Sequence, residues 1–525
     1  MSASREKKSR QELNGSGWTD PKTAREAQQR KEQRRSSILY GVIAVAFALV
    51  AVTVIVWKSN IIQKTTTAAT IDGEKYTAAE ISFHYENIYG NFLNNNYAML
   101  SYGVLSLNPQ LPLSTQVLTE GDVSMLELEK EETGKTWHDY FIDQTLEQMA
   151  VVQSVLKTAK DEGFTYPDSV QDRYDSTMDS LRSAAAASGV SVSQYLQANL
   201  GNTMTEKVYG EQLMRSLQYE AYATAREDGL TYSDAELEET YSADRNSYDR
   251  VSYEAITVSG TPETVTDADG NEVDPTEEEI TAAMEAAKAR AEELLAAYEG
   301  GASLASLADP DNGVTYSNPE SAAYASNPIL GWAFDDARSA GDVQVVESSS
   351  SYSVVVFHEK FRNEYNTVAV RHVLIRPETT TLSNEDEGYQ ADVDAKKADA
   401  KAKAEELYAQ WKSGAATEET FADLARENSS DSNAAQGGLY TEIYQNQMVQ
   451  TFNDWCFDAS RQSGDSGIVE TDFGFHIMYF VGLNDPYWKV QVRNHLKSEN
   501  MNEWYDSLTQ DHSIEKNASG IKYVG

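Results

Sequence analysis

Two histidines and an aspartate are the residues of this sequence whose types could do chemistry together. His372 stands in Val370-Arg-His-Val-Leu-Ile375 and His476 in Phe473-Gly-Phe-His-Ile-Met478, both apolar runs of strand length; Asp431 lies in a polar stretch between them. A single histidine among apolar neighbours is more often a satisfied core residue than a working one. As a set, two imidazoles and a carboxylate can orient a hydrogen-bond network around a polarised carbonyl, or they can hold zinc. No local ligand spacing such as HExxH favours the metal.

The elements that must position these residues occur twice. Val368–Ile375 reads as a strand, followed by a long helix ending near Trp411, a short helix over Thr417–Arg426 and a closing strand over Phe475–Phe480. Upstream, Val251–Val258, Thr276–Tyr298, Ser303–Leu307 and Tyr352–Phe357 give the same series. Ala291-Glu-Glu-Leu294 matches Ala404-Glu-Glu-Leu407, and Leu304-Ala-x-Leu-Ala308 matches Phe421-Ala-x-Leu-Ala425. Trp332-x-Phe-Asp335 matches Trp455-x-Phe-Asp458, and from there Gly341-Asp342 and Val346-Glu347 keep an offset of 123 to Gly464-Asp465 and Val469-Glu470. Blocks in constant order with slowly drifting offsets indicate a tandem duplication. At that alignment Ala255 takes the place of His372 and Ser353 that of His476; Ala325 and Ile329 stand for Met448 and Phe452.

The second copy, over about residues 367–483, resembles the parvulin family of peptidyl-prolyl isomerases. The resemblance rests on Arg371-His-Val-Leu-Ile375, on Ser429-Ser-Asp-Ser-Asn-Ala-Ala-Gln-Gly-Gly-Leu439, on Gln447-Met-Val-x-x-Phe452 with Cys456-Phe457, and on Thr471-Asp-Phe-Gly-Phe-His476. The last block is the most specific. One departure stands out: the family places an aspartate after the glycine pair and a glycine after the leucine, whereas here the order is Gly437-Gly438-Leu439-Tyr440. The resemblance implies that His372, Asp431 and His476 form the catalytic network, that Leu439, Met448 and Phe452 line a proline pocket, and that Thr471 supports the network. It implies a reaction with no metal, cofactor or covalent nucleophile. Residues 248–360 would then be a degenerate parvulin-like domain.

Residues 68–246 are patterned mainly as helices, with Thr77-x-x-Glu80 and Ser233-x-x-Glu236 as capping boxes and aromatics at helical spacing. Residues 486–510 form a further helical pattern through Trp488, Val490, Leu496 and Trp504. A short strand at Ile521–Val524 is expected to pair beside Ala69–Ile71. This arrangement resembles exported bacterial foldases of the PrsA and SurA type, in which a helical chaperone domain precedes one or two parvulin domains and a C-terminal segment (486–525 here) returns to it. The implied fold class is α+β.

Ile38–Trp57 contains no charged residue and at about 1.5 Å per residue would span roughly 30 Å, the depth of a bilayer core. A cleaved signal would have a shorter apolar run ending in small residues, whereas Trp57-Lys-Ser-Asn60 follows this one. A single transmembrane helix is therefore expected at 38–57. Residues 1–37 hold ten Lys and Arg against five Asp and Glu, which keeps that tail cytoplasmic and the bulk of the chain outside the cell membrane. The whole chain is formally −40, which argues against nucleic acid. One cysteine, Cys456, excludes an intramolecular disulfide. The expected partners are the bilayer and unfolded exported proteins bearing Xaa-Pro bonds. A purely binding role, a holdase with parvulin domains as scaffolds, is the competing function.

Overall fold

The computed structural model describes residues 65–262, 265–266, 272–509 and 512–525. The apolar segment Ile38–Trp57 and the basic tail lie outside the described residues. The chain has an α+β fold and divides into two compact units, one made of residues up to Leu230 together with Met501–Gly525, the other of Thr231–Asn500.

The first unit opens with β1 (Thr67–Ile71) and β2 (Glu74–Thr77), followed by α1 (Ala78–Asn95). Thr77 and Glu80 form the reciprocal capping box, so two otherwise unpaired amides at the helix start are satisfied. The helices α2 (Trp137–Asp161), α3 (Asp168–Ala187), α4 (Val192–Leu200) and α5 (Glu206–Asp228) follow. Ala69, Ile71, Ile81, Trp137, Phe141 and Leu146 are buried in one core, with Trp137 and Phe92 each packed on Phe141.

The C-terminal strand differs from expectation. Ile514–Lys516, not Ile521–Val524, pairs antiparallel with β1, matching Ala69 to Lys516 and Ile71 to Ile514. Asn517 accepts a hydrogen bond from the Ser519 amide and starts a single helical turn, Ala518–Ile521, which ends strand geometry there. That turn lies directly on β1: a side chain at Gly520 would come within 2.4 Å of the Thr67 carbonyl oxygen. Val524 is still buried in the core, although not as part of a strand.

The second unit begins with α6 (Asp234–Ala243). Sequence reading sets the end of the helical domain at 246, but α6 packs Leu237 and Tyr241 against Tyr248, Trp488 and Val492, all within this unit. The Arg362 guanidinium lies over both the Tyr241 and Trp488 rings. Next come β3 (Arg250–Ser259), α7 (Glu277–Glu299), β4 (Val314–Ser317), β5 (Val343–Ser348) and β6 (Ser351–Phe361). The series continues with β7 (Asn366–Ile375), α8 (Tyr389–Ser413), α9 (Glu418–Asn428), β8 (Leu439–Ile443), α10 (Gln450–Cys456), β9 (Ser466–Thr471) and β10 (Gly474–Pro486). The helix α11 (Tyr487–Thr509) continues from β10 without a loop.

The two sheets have the same plan. One runs β4-β3-β6-β5 and the other β8-β7-β10-β9, each with its two long strands adjacent and antiparallel at the centre. The registers also correspond. His372 faces Met478 and Leu374 faces His476; in the first sheet Ala255 faces Val355 and Thr257 faces Ser353. The second sheet buries both faces. Val373, Ile375, Phe475 and Ile477 pack on Ala404, Leu407 and Phe421 of α8 and α9. Val368, Val370, Met478 and Phe480 turn the other way, onto Phe452 and Cys456 of α10. Side chains alternate along a strand, so residues 372 and 476 share the face covered by α10.

Candidate active site

His372 and His476 are diagonal neighbours on that face. Their rings stack at 5.3 Å between centroids with 16° between planes, and their Nδ1 atoms are 3.1 Å apart. Phe452 meets both rings edge-on, at 5.5 Å and 5.4 Å. Both histidines are buried.

The surrounding bonds assign the tautomers. Thr471 Oγ1 accepts from the Phe473 amide at 3.1 Å and lies 2.8 Å from His476 Nε2. With the threonine hydroxyl donating to His476 Nε2, His476 Nδ1–H donates to His372 Nδ1. His372 then turns Nε2 toward Asp431, where that nitrogen is buried without a direct hydrogen-bond partner. His372 Nε2 faces Asp431 Oδ2 at 3.6 Å, too long for a direct bond. Asp431 Oδ1 accepts from the Tyr440 hydroxyl at 3.1 Å and from the Asn433 amide at 3.1 Å.

Burial, with His372 alongside, pushes the His476 imidazole down to about 4. The His372 side chain next to Asp431 holds its carboxyl well below the usual carboxylate range, against the opposing effect of burial. Burial and the Asp431 charge raise the Tyr440 phenol. Because the folded state disfavours charging His476, the unfolded chain binds the proton more readily. The stability contributed by the neutral ring is therefore complete above about 6.5 and lost as pH falls toward 4.

The segment carrying Asp431 is tied to β7. Ser429 Oγ accepts from the Leu374 amide at 3.0 Å, Ser430 N–H donates to the Leu374 carbonyl at 2.8 Å, and the His372 amide donates to Gly438 O at 2.9 Å. Gly438 has φ +66°, and an added Cβ would lie 2.1 Å from the His372 carbonyl oxygen. The glycine pair thus brings the loop's backbone against the strand that bears the histidine.

A cavity of about 310 Å³ opens beside these groups. His372, Asp431 and His476 form its polar wall; Met448, Phe452, Val449 and Phe473 form its apolar wall. Leu439 does not line it. It faces Arg371 across the strand pair, and alternation along β8 brings Tyr440 to the site in its place. Thr471 reaches the network through His476, as described above. Sequence reading missed Tyr440 and Phe473 as site residues. The signal for Tyr440 was its own departure from the family pattern; Phe473 lay inside the quoted closing motif, and it is 55% exposed at the cavity mouth. Met448, Phe452, His372, Asp431 and His476 all meet at one cavity. Among the described residues no group of three or more His, Cys, Asp or Glu side chains is arranged to hold a metal ion.

At the corresponding place in the first sheet, Thr257 and Ser353 hydroxyls hydrogen-bond at 2.8 Å. Ala255 is packed there with Val346, Val355, Ile329 and Trp332. Where the second sheet has two imidazoles, the first has Ala255 and the Ser353 hydroxyl.

Comparison with known proteins finds similarity in the same part of the chain. Residues 352–481 match the PPIC-type PPIase domain, starting in β6 and ending in β10. Among individual proteins, foldase protein PrsA 1 of Listeria innocua serovar 6a is 26% identical over 171 residues, covering 30% of this chain and 49% of the relative. Foldase protein PrsA 1 of Listeria monocytogenes serovar 1/2a is 25% identical over the same coverage. The chain spans about half the length of these curated relatives. Among solved structures, PrsA from Bacillus subtilis aligns at 14% identity over 72% of this chain and 89% of that one, with a TM-score of 0.29. A structure described with the SurA-like chaperones PEB4 and Cj1289 of Campylobacter jejuni aligns at 13% identity over 85% and 96%, with a TM-score of 0.17.

Proposed function

We propose that this protein is a membrane-anchored foldase: a parvulin-type peptidyl-prolyl cis–trans isomerase and chaperone for exported proteins. The observation that carries the reading is the stacked His372–His476 pair, with Asp431 beside it, forming one wall of a cavity whose other wall is Met448 and Phe452.

The chemistry follows from the amide. Resonance sets a barrier of about 18–20 kcal/mol to rotation, and before proline the exchange takes tens to hundreds of seconds. A catalyst must favour the twisted amide, whose resonance is lost. Met448 and Phe452 hold the proline ring away from water, and the histidine network meets the rotating carbonyl with preoriented dipoles. Asp431 orients that network and does not need to accept a proton. A second hollow of about 560 Å³ also has Val449 in its lining, together with Thr471, Asp472 and Gly474. It provides room for the polypeptide flanking the proline.

Residues 248–360 form, in this reading, a second parvulin-like domain without catalysis, supported by Ala255 and Ser353 standing at the register of His372 and His476. The helical unit, residues 68–230 with 501–525, supplies the chaperone surface. No covalent step or cofactor enters the mechanism.

A protease-coupled isomerisation assay on the full chain, with Xaa-Pro tetrapeptides, tests the activity. Because His476 charges only near pH 4, kcat/KM is expected to stay level from neutral pH down to about 5 and to fall below that. A decline centred near the ordinary histidine value would show that a different group governs the profile, whereas no activity on any Xaa-Pro peptide would leave a non-catalytic holdase as the better description.

The anchor is supported by the length and flanks of Ile38–Trp57. Protease added to intact cells should remove residues 68–525 and spare the basic tail. Recovery of a mature N-terminus near residue 60 would instead establish a cleaved signal.

A further inference from the structure

Residues 87–119 contain no Asp, Glu, Lys, Arg or His, in a chain of formal charge −40 in which charged residues make up 24%. The same segment exposes large apolar side chains. Tyr102 is 85% exposed, Tyr97 73% and Leu111 53%, and Val104 and Val117 are also exposed. Exposed apolar residues scattered singly are ordinary; grouped in one uncharged stretch they mark a contact surface.

The segment is held from within. Leu107 and Leu118 are buried in the core that also holds Ala68, Ala69 and Ile71. The Ser106 amide donates to Asp122 at 2.7 Å. Gln116 braces the turn: its Oε1 accepts from the Asn108 amide at 2.8 Å, and its Nε2 donates to the Asn108 and Leu111 carbonyls, each at 3.0 Å. Pro109 and Pro112 carry no amide hydrogen at all. The turn therefore satisfies much of its own backbone while its apolar side chains face outward. Entry into a medium poor in hydrogen-bond partners requires that arrangement.

We infer that residues 97–117 dock on the bilayer that carries the anchor, with Tyr97, Tyr102 and Leu111 at headgroup depth. The inference rests on the anchor proposed above. From Trp57 to the start of β1 at Thr67 is ten residues, a reach of at most roughly 35 Å. The docking segment packs on the same core as β1, so a short tether delivers it to the membrane. Most of an acidic chain is repelled by anionic headgroups; an uncharged face escapes that repulsion. Tyrosine favours the membrane–water interface because its ring is apolar and its hydroxyl is wet. Apolar residues beside it add burial.

The test uses the full chain reconstituted in vesicles of phosphatidylcholine and phosphatidylglycerol, with an environment-sensitive fluorophore attached at Tyr102→Cys. The native Cys456 is buried, which pushes its thiol up to about 12 and leaves it silent toward labelling. A second variant, Asp161→Cys, reports from an exposed position on a charged face of α2. Flotation of the vesicles first establishes whether the protein is anchored. In floated protein the label at 102 is expected to shift to the blue and to be quenched by brominated lipid, insensitively to salt, while the label at 161 does neither. Floated protein whose label at 102 stays water-like overturns the inference and leaves the anchor standing. A blue shift that comes only on adding a reduced, unfolded protein also overturns it, and makes the segment a client surface. Protein that does not float removes the anchor and this inference together.

Discussion

Replacing His476 with alanine is expected to lower kcat/KM for an Xaa-Pro tetrapeptide by about a hundredfold or more, the usual cost of removing one preoriented group from a transition-state contact. At about 1.4 kcal/mol per factor of ten, that is near 3 kcal/mol of lost stabilisation. The size follows from what the ring links. It receives Thr471's hydrogen bond at 2.8 Å and lies 3.1 Å from His372 Nδ1, so His372 loses its fixed orientation when the ring is removed. His372→Ala should cost a similar factor by exposing Asp431 to the cavity without its neighbour. Ser353→Ala, at the matching place in the first sheet, should leave the rate unchanged, because its hydroxyl bonds Thr257 and it is buried away from His372 and His476. The rates are compared per folded molecule, with the folded fraction read from denaturant unfolding. Full activity in folded His372→Ala and His476→Ala would end the assignment of the pair.

Gly438→Ala is expected to destabilise the domain built on the second sheet by on the order of 3 kcal/mol, combining left-handed backbone strain with a close clash. The added methyl would lie 2.1 Å from the His372 carbonyl oxygen and 3.1 Å from Ala425 Cβ. Neither can withdraw freely, because the His372 amide donates to Gly438 O at 2.9 Å. Activity should fall with stability, since the displaced segment also carries Asp431. The control is Gly482→Ala on β10, where a Cβ meets nothing within 4 Å and the backbone is not left-handed; there the change should be within about half a kcal/mol. Equal midpoints for the two variants in urea would show that the loop yields and that the glycine is not required.

What could be read in the sequence was whatever depends on local spacing. The boxes at Thr77, Ser233 and Thr276 mark helix starts because the bond they make spans only three residues, and all three form. The offset of 123 likewise reappears as register: Ser353 and His476 occupy matching places on β6 and β10. Non-local choices were hidden. Leu439 and Tyr440 are both plausible pocket residues by type, and only the pairing of β8 with β7 decides which one faces the cavity. The C-terminal strand was misplaced by several residues because Ile521–Val524 is the more apolar stretch, whereas Ile514–Lys516 makes the pairing and Asn517 turns the chain away. The end of the helical domain was set too late because α6 looks like its neighbours in composition, while its partners Trp488 and Val492 lie far along the chain.

The pairing of Ile71 with Ile514 has a consequence for the order in which the protein is made. The second unit is inserted between the two parts of the first. Emerging N-terminus first, β1 has its hairpin partner β2 at once, but its outer edge stays open until Ile514–Lys516 has been synthesised. If the inserted unit folds in the meantime, it shortens the flexible span that must close, and closure costs less entropy than an unstructured loop of that length would. Nascent molecules would then carry one unpaired backbone edge throughout synthesis of the inserted unit, and emergence of Ile514–Lys516 would be the step that seals it.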